Sequence, residues 1–322
     1  MRRGDYHKIL IDEIKRRLPE DSKIADVLMD ALDLSRESAY RRLRNEVLFT
    51  FEEIAVLAAD FGISLDNLVG VEIQKSKPFQ LKLPEFVTPK AEDLWMFNDF
   101  IAFLRKIAES SKAELGMITN VIPQDIFSGF ENFAKFNIFK WQYYYHNDNI
   151  IPYHELIIPQ GVKGPMKDQF MESKKMNKTF YVFDKYMFKR AIDDLIYFNS
   201  MHLISDEDVL IIKEELMDIL DYIESLTIDG KFSETGNQVS VYIAGVDITN
   251  SYTYVKTEDI CYSLIKTFML TSVTSLENKT FNKVLDWIHA TMRTSTLITH
   301  TNEMARIMYF KKQREIIEGL IL

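Results

Sequence analysis

Cysteine occurs once in this sequence, at position 261. One thiol excludes an intrachain disulfide framework and a cysteine zinc cluster, and with apolar neighbours it reads as a small buried hydrophobe. Long apolar runs are missing as well. No stretch approaches the roughly eighteen consecutive apolar residues of a spanning helix, and the opening Met-Arg-Arg-Gly-Asp-Tyr-His-Lys has no signal-peptide core. A cytoplasmic protein with no membrane partner is the expectation. No glycine-rich phosphate loop, Gly-x-Ser-x-Gly or His-Glu-x-x-His occurs. The six histidines (7, 146, 154, 202, 289, 300) are scattered, and His146 and His154 have no third ligand at metal spacing. The acidic pairs Asp193-Asp194 and Glu214-Glu215 fall on amphipathic stretches and read as solvated faces. Neither an enzyme, a cofactor nor a metal is expected; only a pocket with converging titratable side chains would bring an enzymatic reading back.

Basic charge is scarce too: 39 Lys+Arg stand against 48 Asp+Glu, for a formal net charge of −9. Residues 1–70 carry 11 Lys+Arg against 14 Asp+Glu, which leaves them at −3. Any affinity for a polyanion must therefore come from a local cluster or from two copies acting together. The bulk composition, 47% hydrophobic and 27% charged, is that of an ordinary globular protein, and 322 residues suit two domains. No repeat of 20 to 50 residues and no low-complexity tract appears.

The N-terminal domain reads as five short helices over 1–70. Leu10, Ile11, Ile14 and Leu18 mark the first, which Pro19 stops. Ser22 suits the cap of a second helix bearing Ile24, Leu28 and Leu32. Asp33-Leu34 then makes a turn where glycine is usual, because the turn needs positive φ, and aspartate tolerates that conformation better than most residues. Ser35 caps a third helix running to Glu46, with Ala39 and Leu43 on its inner face. Glu37, Arg41 and Arg44 point outward, flanked by Ser38, Tyr40 and Arg42. Thr50-Phe-Glu-Glu53 is a capping box opening a fourth helix that Gly62 ends, and Ser64–Leu68 starts a fifth turn.

This order resembles the phage-repressor, or XRE, type of helix-turn-helix domain. Ile24 to Gly70 carry the resemblance: Leu32-Asp-Leu-Ser35, then Ser38-Ala-Tyr-Arg-Arg-Leu-Arg44, then Phe61-Gly-Ile-Ser-Leu-Asp-Asn-Leu68. Asp33 at the turn departs from the family pattern, as does the lack of glutamine opening the second helix, where the family often contacts phosphate. The resemblance implies that the third helix enters the major groove of duplex DNA and that two copies read paired half-sites. Arg41 suits a base, since arginine bonds guanine O6 and N7 together and discriminates by about 1–3 kcal/mol. Ser38 suits a base edge or a phosphate; Tyr40, Arg42 and Arg44 suit the backbone. Glu37 either accepts from cytosine N4 or pairs with Arg41. Ser35 and Arg36, at the helix start, complete the DNA-binding set. The alternative is a charged, solvated helix on a protein-interaction module that docks another regulator.

Residues 71–90, with Pro78, Pro84 and Pro89, read as a linker. Residues 91–322 read as an α+β domain: an antiparallel sheet of about five strands with several helices beside it. Helices are expected at 94–108, Ile126–Trp141, 209–226, Asn278–Arg293 and Thr301–Leu320, with Ser205 capping the third. Strands are expected at Tyr143–Tyr145, Ile150–Ile158 and Thr179–Phe183, and an antiparallel pair at Val239–Ile243 and Asp247–Val255. The apolar seams of 94–108 and 209–226 suit either internal packing or a homodimer interface. The aromatics from Phe127 to Tyr145, with Trp95, Trp141 and Trp287, suit a core or a pocket for a small-molecule effector. Thr294, Ser295, Thr296, Thr299, His300 and Thr301 read as helix caps or as an anion site at the last helix. Residues 136–141 (Phe-Asn-Ile-Phe-Lys-Trp), 295–299 (Ser-Thr-Leu-Ile-Thr), Arg306 and Phe310 give this part the look of larger regulators of Bacteroidetes, which implies a regulator but no particular ligand.

Overall fold

The structure, a computed structural model, describes residues 5–18, 23–65, 68, 80–81, 83–145, 150–267, 269–275 and 278–320. The chain forms two compact units, Met1–Pro78 and Phe79–Leu322. No helix among the described residues is long and apolar enough to cross a membrane.

The first unit holds α1 (Asp5–Arg17), α2 (Ile24–Leu32), α3 (Arg36–Leu43) and α4 (Phe51–Asp60). Leu10, Ile14, Leu28, Ala39, Leu57 and Ile63 close its core, as the helical spacing of those residues requires. Arg17 donates to the carbonyls of Phe61 (2.7 Å) and Gly62 (3.0 Å), so the end of α1 satisfies the C-terminus of α4. The Pro19 stop, the Ser22 cap and part of the fifth turn at 64–68 lie outside the described residues.

The second unit is built on eight strands: β1 (Gln80–Leu81), β2 (Glu114–Thr119), β3 (Lys178–Phe183), β4 (Gln238–Ile243), β5 (Tyr252–Lys256), β6 (Cys261–Lys266), β7 (Ser272–Ser275) and β8 (Thr296–Leu297). They lie in the order β1-β7-β6-β5-β2-β3-β4-β8. The helices are α5 (Ala91–Ala108), α6 (Gln124–Phe127), α7 (Glu131–Tyr145), α8 (Gln160–Ser173), α9 (Met187–Ser200), α10 (Asp206–Asp229), α11 (Asn278–Arg293) and α12 (Glu303–Glu318). Ile118, Val182 and Tyr254 face α11, whose Phe281, Val284 and Ile288 cover them. The opposite face joins Leu115, Tyr181, Phe183 and Val241 to a larger core shared with the other helices. Gly116 is where the Tyr254 ring crosses β2; a Cβ there would collide with the ring, whose hydroxyl donates to Glu114 at 2.6 Å.

The α+β class matches the expectation, but the sheet is mixed rather than antiparallel. β2, β3 and β4 run parallel because helices intervene between them, whereas β5, β6 and β7 meander antiparallel through short turns. The expected pairing of 239–243 with 247–255 does not form: β4 lies between β3 and β8, and β5 lies between β2 and β6. Alternation fixes which side a residue faces, not which strand is its neighbour.

Local β-propensity also points the wrong way at two places, and one expected helix is interrupted. Tyr143–Tyr145 continue α7, where Trp141 stacks on Tyr145 at 4.1 Å between ring centroids. Ile150–Ile158 is no strand, because Gln142 bonds both polar groups of Ile151 with its amide (2.8 and 3.0 Å), and Pro152 opens a turn that buries Tyr153 and Leu156. The helix expected over Ile126–Trp141 is broken at Ser128–Phe130, where Gly129 abuts the Phe170 ring. Glu215 then accepts from the amides of Asn132 (3.0 Å) and Phe133 (2.7 Å), capping α7. Neither acidic pair is simply solvated: Asp194 holds Lys140 at 2.7 Å.

Both apolar seams serve the chain's own core. Val209, Ile212, Leu216, Ile219, Ile223 and Leu226 are all buried in it, and α5 contributes Ile101 and Leu104. The aromatic cluster is likewise core, with Phe133, Phe136, Phe139 and Trp141 buried, while Trp287 is exposed. Phe86, within the stretch expected as linker, is buried against Phe97 and Trp141. In the polar run at 294–301 the hydroxyls bond locally: Thr294 and Ser295 donate to the Thr291 carbonyl, Thr301 to that of Leu297, and Thr299 accepts from the Val241 amide. Among the described residues no group of three His, Cys, Asp or Glu is placed to hold a metal.

Candidate nucleic-acid interface

Asp33 ends α2 in the left-handed region, at φ 50° and ψ 49°, and its N–H reaches the Met29 carbonyl. Leu34 donates to the same carbonyl at 3.1 Å, so the turn closes with aspartate where glycine is usual. Ser35 then caps α3, accepting from the Ser38 amide at 3.4 Å and donating to the Ser38 hydroxyl at 3.1 Å. Ala39 is fully buried beneath the helix, and its small side chain lets α2 and α3 approach closely.

Two contacts that the spacing of residues did not reveal hold α3 in place. Arg42 is turned inward: its guanidinium bonds Glu53 at 2.5 and 3.3 Å and reaches back to the Ser38 carbonyl at 3.3 Å. Glu53 in turn accepts from the Thr50 amide at 2.8 Å while Thr50 accepts from the Glu53 amide, the reciprocal box expected of Thr50-x-x-Glu53. Burial works against the ionised Glu53, but Arg42 and Thr50 outweigh it and hold the carboxyl below its ordinary value. The second contact is His7, buried on α1 and stacked on Phe49 at 4.6 Å. Its Nδ1 accepts from the Phe49 amide at 3.2 Å, which leaves Nε2–H to donate to the Arg42 carbonyl at 2.8 Å.

Glu53→Ala removes the reciprocal cap and strands a half-buried guanidinium. It is expected to destabilise the first unit by about 2–3 kcal/mol at neutral pH. Because the folded carboxyl titrates below the unfolded one, that contribution is present above the ordinary carboxylate pKa and fades as pH falls through the folded value. Denaturant titrations at neutral and acidic pH check both the size and the sign.

Helix α3 stops at Leu43, shorter than the expected 35–46. Arg44 stands at the cap, Asn45 takes φ 61°, and the Glu46 amide donates back to the Arg41 carbonyl at 2.9 Å. That turn brings the Glu46 carboxylate over two arginines: Arg44 at 2.6 and 3.2 Å, and Arg41 at 3.8 Å. Arg44 holds the Glu46 carboxyl below its ordinary range, and Glu46 raises Arg44 in return. Both arginine side chains nonetheless remain more than half exposed, at 53% for Arg41 and 56% for Arg44. Arg36 lies over the Tyr40 ring at 5.9 Å, both exposed. Among the described residues Glu37 has no ion-pair partner, so of its two alternatives the pairing with Arg41 does not form. Beyond the helix, Leu48 and Phe51 are exposed.

Of the eight residues singled out from the sequence, Arg36, Glu37, Tyr40, Arg41 and Arg44 are exposed, the last two in contact with Glu46. Ser35 and Ser38 are engaged with each other, and Arg42 belongs to the scaffold. No protein-family model, curated protein or solved structure matches the chain.

Proposed function

We propose that the protein is a sequence-specific regulator that binds duplex DNA through α3 as a homodimer. The observation that carries this reading is the left-handed Asp33 turn, which sets α3 over the core with Ala39 inward and with Arg36, Tyr40, Arg41 and Arg44 outward. Arg41 reads a base; Arg36, Tyr40 and Arg44 contact phosphates; Arg42 and His7 hold the helix that presents them. Glu46 occupies the arginines when DNA is absent. An exposed, solvent-screened ion pair of this kind is weak, so phosphate displaces it readily. Since residues 1–70 sum to −3, one copy binds weakly and the pairing of two supplies useful affinity.

A docking module for another regulator is favoured by one feature, the exposed Leu48 and Phe51 beside the carboxylate-covered arginines. Selection of the full chain against random duplex DNA separates the two readings. Enrichment of a palindrome with half-sites about one helical turn or a multiple apart is the expected result. A pool that stays unenriched at low salt removes the DNA reading and leaves the docking one.

A further inference from the structure

Between the sheet and helices α5, α6 and α8, the second unit holds a half-open cavity of about 230 Å³. Its floor is one face of β2, β5, β6 and β7, and strand register sorts the residues of that face into rows. Leu115, Val255 and Tyr262 form one row, and Met117, Thr253, Leu264 and Thr274 the next. The last row is polar: Lys266 lies opposite Ser272, its amide bonds the Ser251 carbonyl, and the Ser251 hydroxyl meets that of Thr119 at 3.0 Å. Phe97, Phe100 and Leu104 of α5 and Met166 of α8 form the roof. The chamber therefore grades from hydrocarbon at one end to hydroxyls and an ammonium at the other.

Lys266 has no ion pair or side-chain hydrogen bond among the described residues. Asp125 lines the same end: its Oδ2 takes the Tyr181 hydroxyl at 2.6 Å, and its Oδ1 is buried with no hydrogen-bond partner among the described residues. A single cationic donor thus faces an apolar space. Lys266 is only partly exposed, and an ammonium held beside apolar side chains without a partner is costly unless an anion meets it there. Lys266 is the chamber's cation, and the Asp125 carboxylate at the same end is already bonded to Tyr181, which suits binding rather than an acid–base pair.

We propose that this cavity binds a small apolar monocarboxylate, one ring or a short alkyl chain, with its acid group on Lys266 and its hydrocarbon against Phe97, Phe100 and Leu104. Size sets the scale: a cavity of about 150 Å³ holds a benzene ring, so this one holds a ring and a short acid arm. Charge sets the number of acid groups, since a phosphate or dicarboxylate would exceed what one lysine neutralises beside Asp125. The inference goes beyond DNA binding and does not depend on it.

Met96, Met117 and Met166 line the chamber, so methionine methyl resonances of the full chain report on it directly. The probes are 3-phenylpropanoate and octanoate, with 3-phenylpropanol as the uncharged control. Both acids are expected to move these three resonances saturably. Lys266→Met is expected to weaken the acids by about ten- to a hundredfold and to leave the alcohol's affinity unchanged, which also shows that the variant is folded. Acids that never saturate the three resonances, or acid affinities that Lys266→Met leaves alone, overturn the proposal.

Discussion

Replacing Lys266 by Met and Asp125 by Asn together stabilises the second unit at pH 7, by about 1–4 kcal/mol. Burial raises Asp125 to about 6, against the pull of the Tyr181 hydroxyl and the charge of Lys266. Burial also lowers Lys266 to about 8, helped by the charge of Lys140 and opposed by Asp125. Among the described residues no ion pair joins the two, so neither charge compensates the other at close range. An acid whose folded pKa is raised contributes fully below the unfolded value of 3.8 and loses that contribution as pH climbs through about 6. A lysine whose folded pKa is lowered contributes fully above 10.5 and loses it as pH falls through about 8. Both charged forms therefore burden the native state between about pH 6 and 8, where the variant's advantage is widest. It narrows as pH falls below about 6, where folded Asp125 takes up its proton, and as pH rises above about 8, where folded Lys266 gives its proton up. Calorimetric unfolding across that range reads the difference as about 2–4 °C per kcal/mol. A variant less stable than the parent at pH 7, or a gap indifferent to pH, contradicts the account. Groups that weaken a fold are retained where they serve something else, and here they line the cavity assigned to a monocarboxylate.

Which parts of this were legible in the sequence follows from how local each signal is. The Ser205 and Thr50 caps and the bounds of α11 rest on spacings within one or two turns, and the helices stand where those spacings put them. β2 was not legible, because Glu114–Thr119 is interrupted by Gly116, whose place is explained only by the Tyr254 ring two strands' worth of chain away. α8 was hidden by Gly161, Gly164 and Pro165, residues that weaken a helix, although Val162 and Met166 anchor it against the core. At the interface, the outward stripe of α3 could be drawn from a wheel, but its end could not. Asn45 breaks the helix and returns Glu46 over the arginines, a contact that depends on backbone conformation rather than on spacing. Arg42 looked like its neighbours until Glu53, eleven residues on, drew it inward. Lys266 ends a short β-prone run, and nothing local shows that its strand faces a cavity.

Opposite effects on DNA affinity are expected from two neighbours on that interface. Arg41→Ala removes the proposed base contact and is expected to lower affinity for the selected site by about 1–3 kcal/mol, relaxing preference at one base pair while non-specific binding changes little. Glu46→Gln acts in the other direction. It frees Arg44 from a bidentate partner and Arg41 from a charge at 3.8 Å, and it removes one negative charge from a surface that must approach phosphates. Affinity for specific and random duplex should rise together, and the rise should shrink with added salt because it is electrostatic. In Arg41→Ala the Glu46→Gln gain should persist in part, because Arg44 is still released. Titrations of the four proteins on selected and random duplexes, each at two salt concentrations, give the full cycle. If Glu46→Gln weakens binding, its carboxylate orients the arginines rather than covering them. If Arg41→Ala lowers both duplexes equally, Arg41 contacts the backbone, and the reading of bases passes to Arg36 and Tyr40 of the same helix.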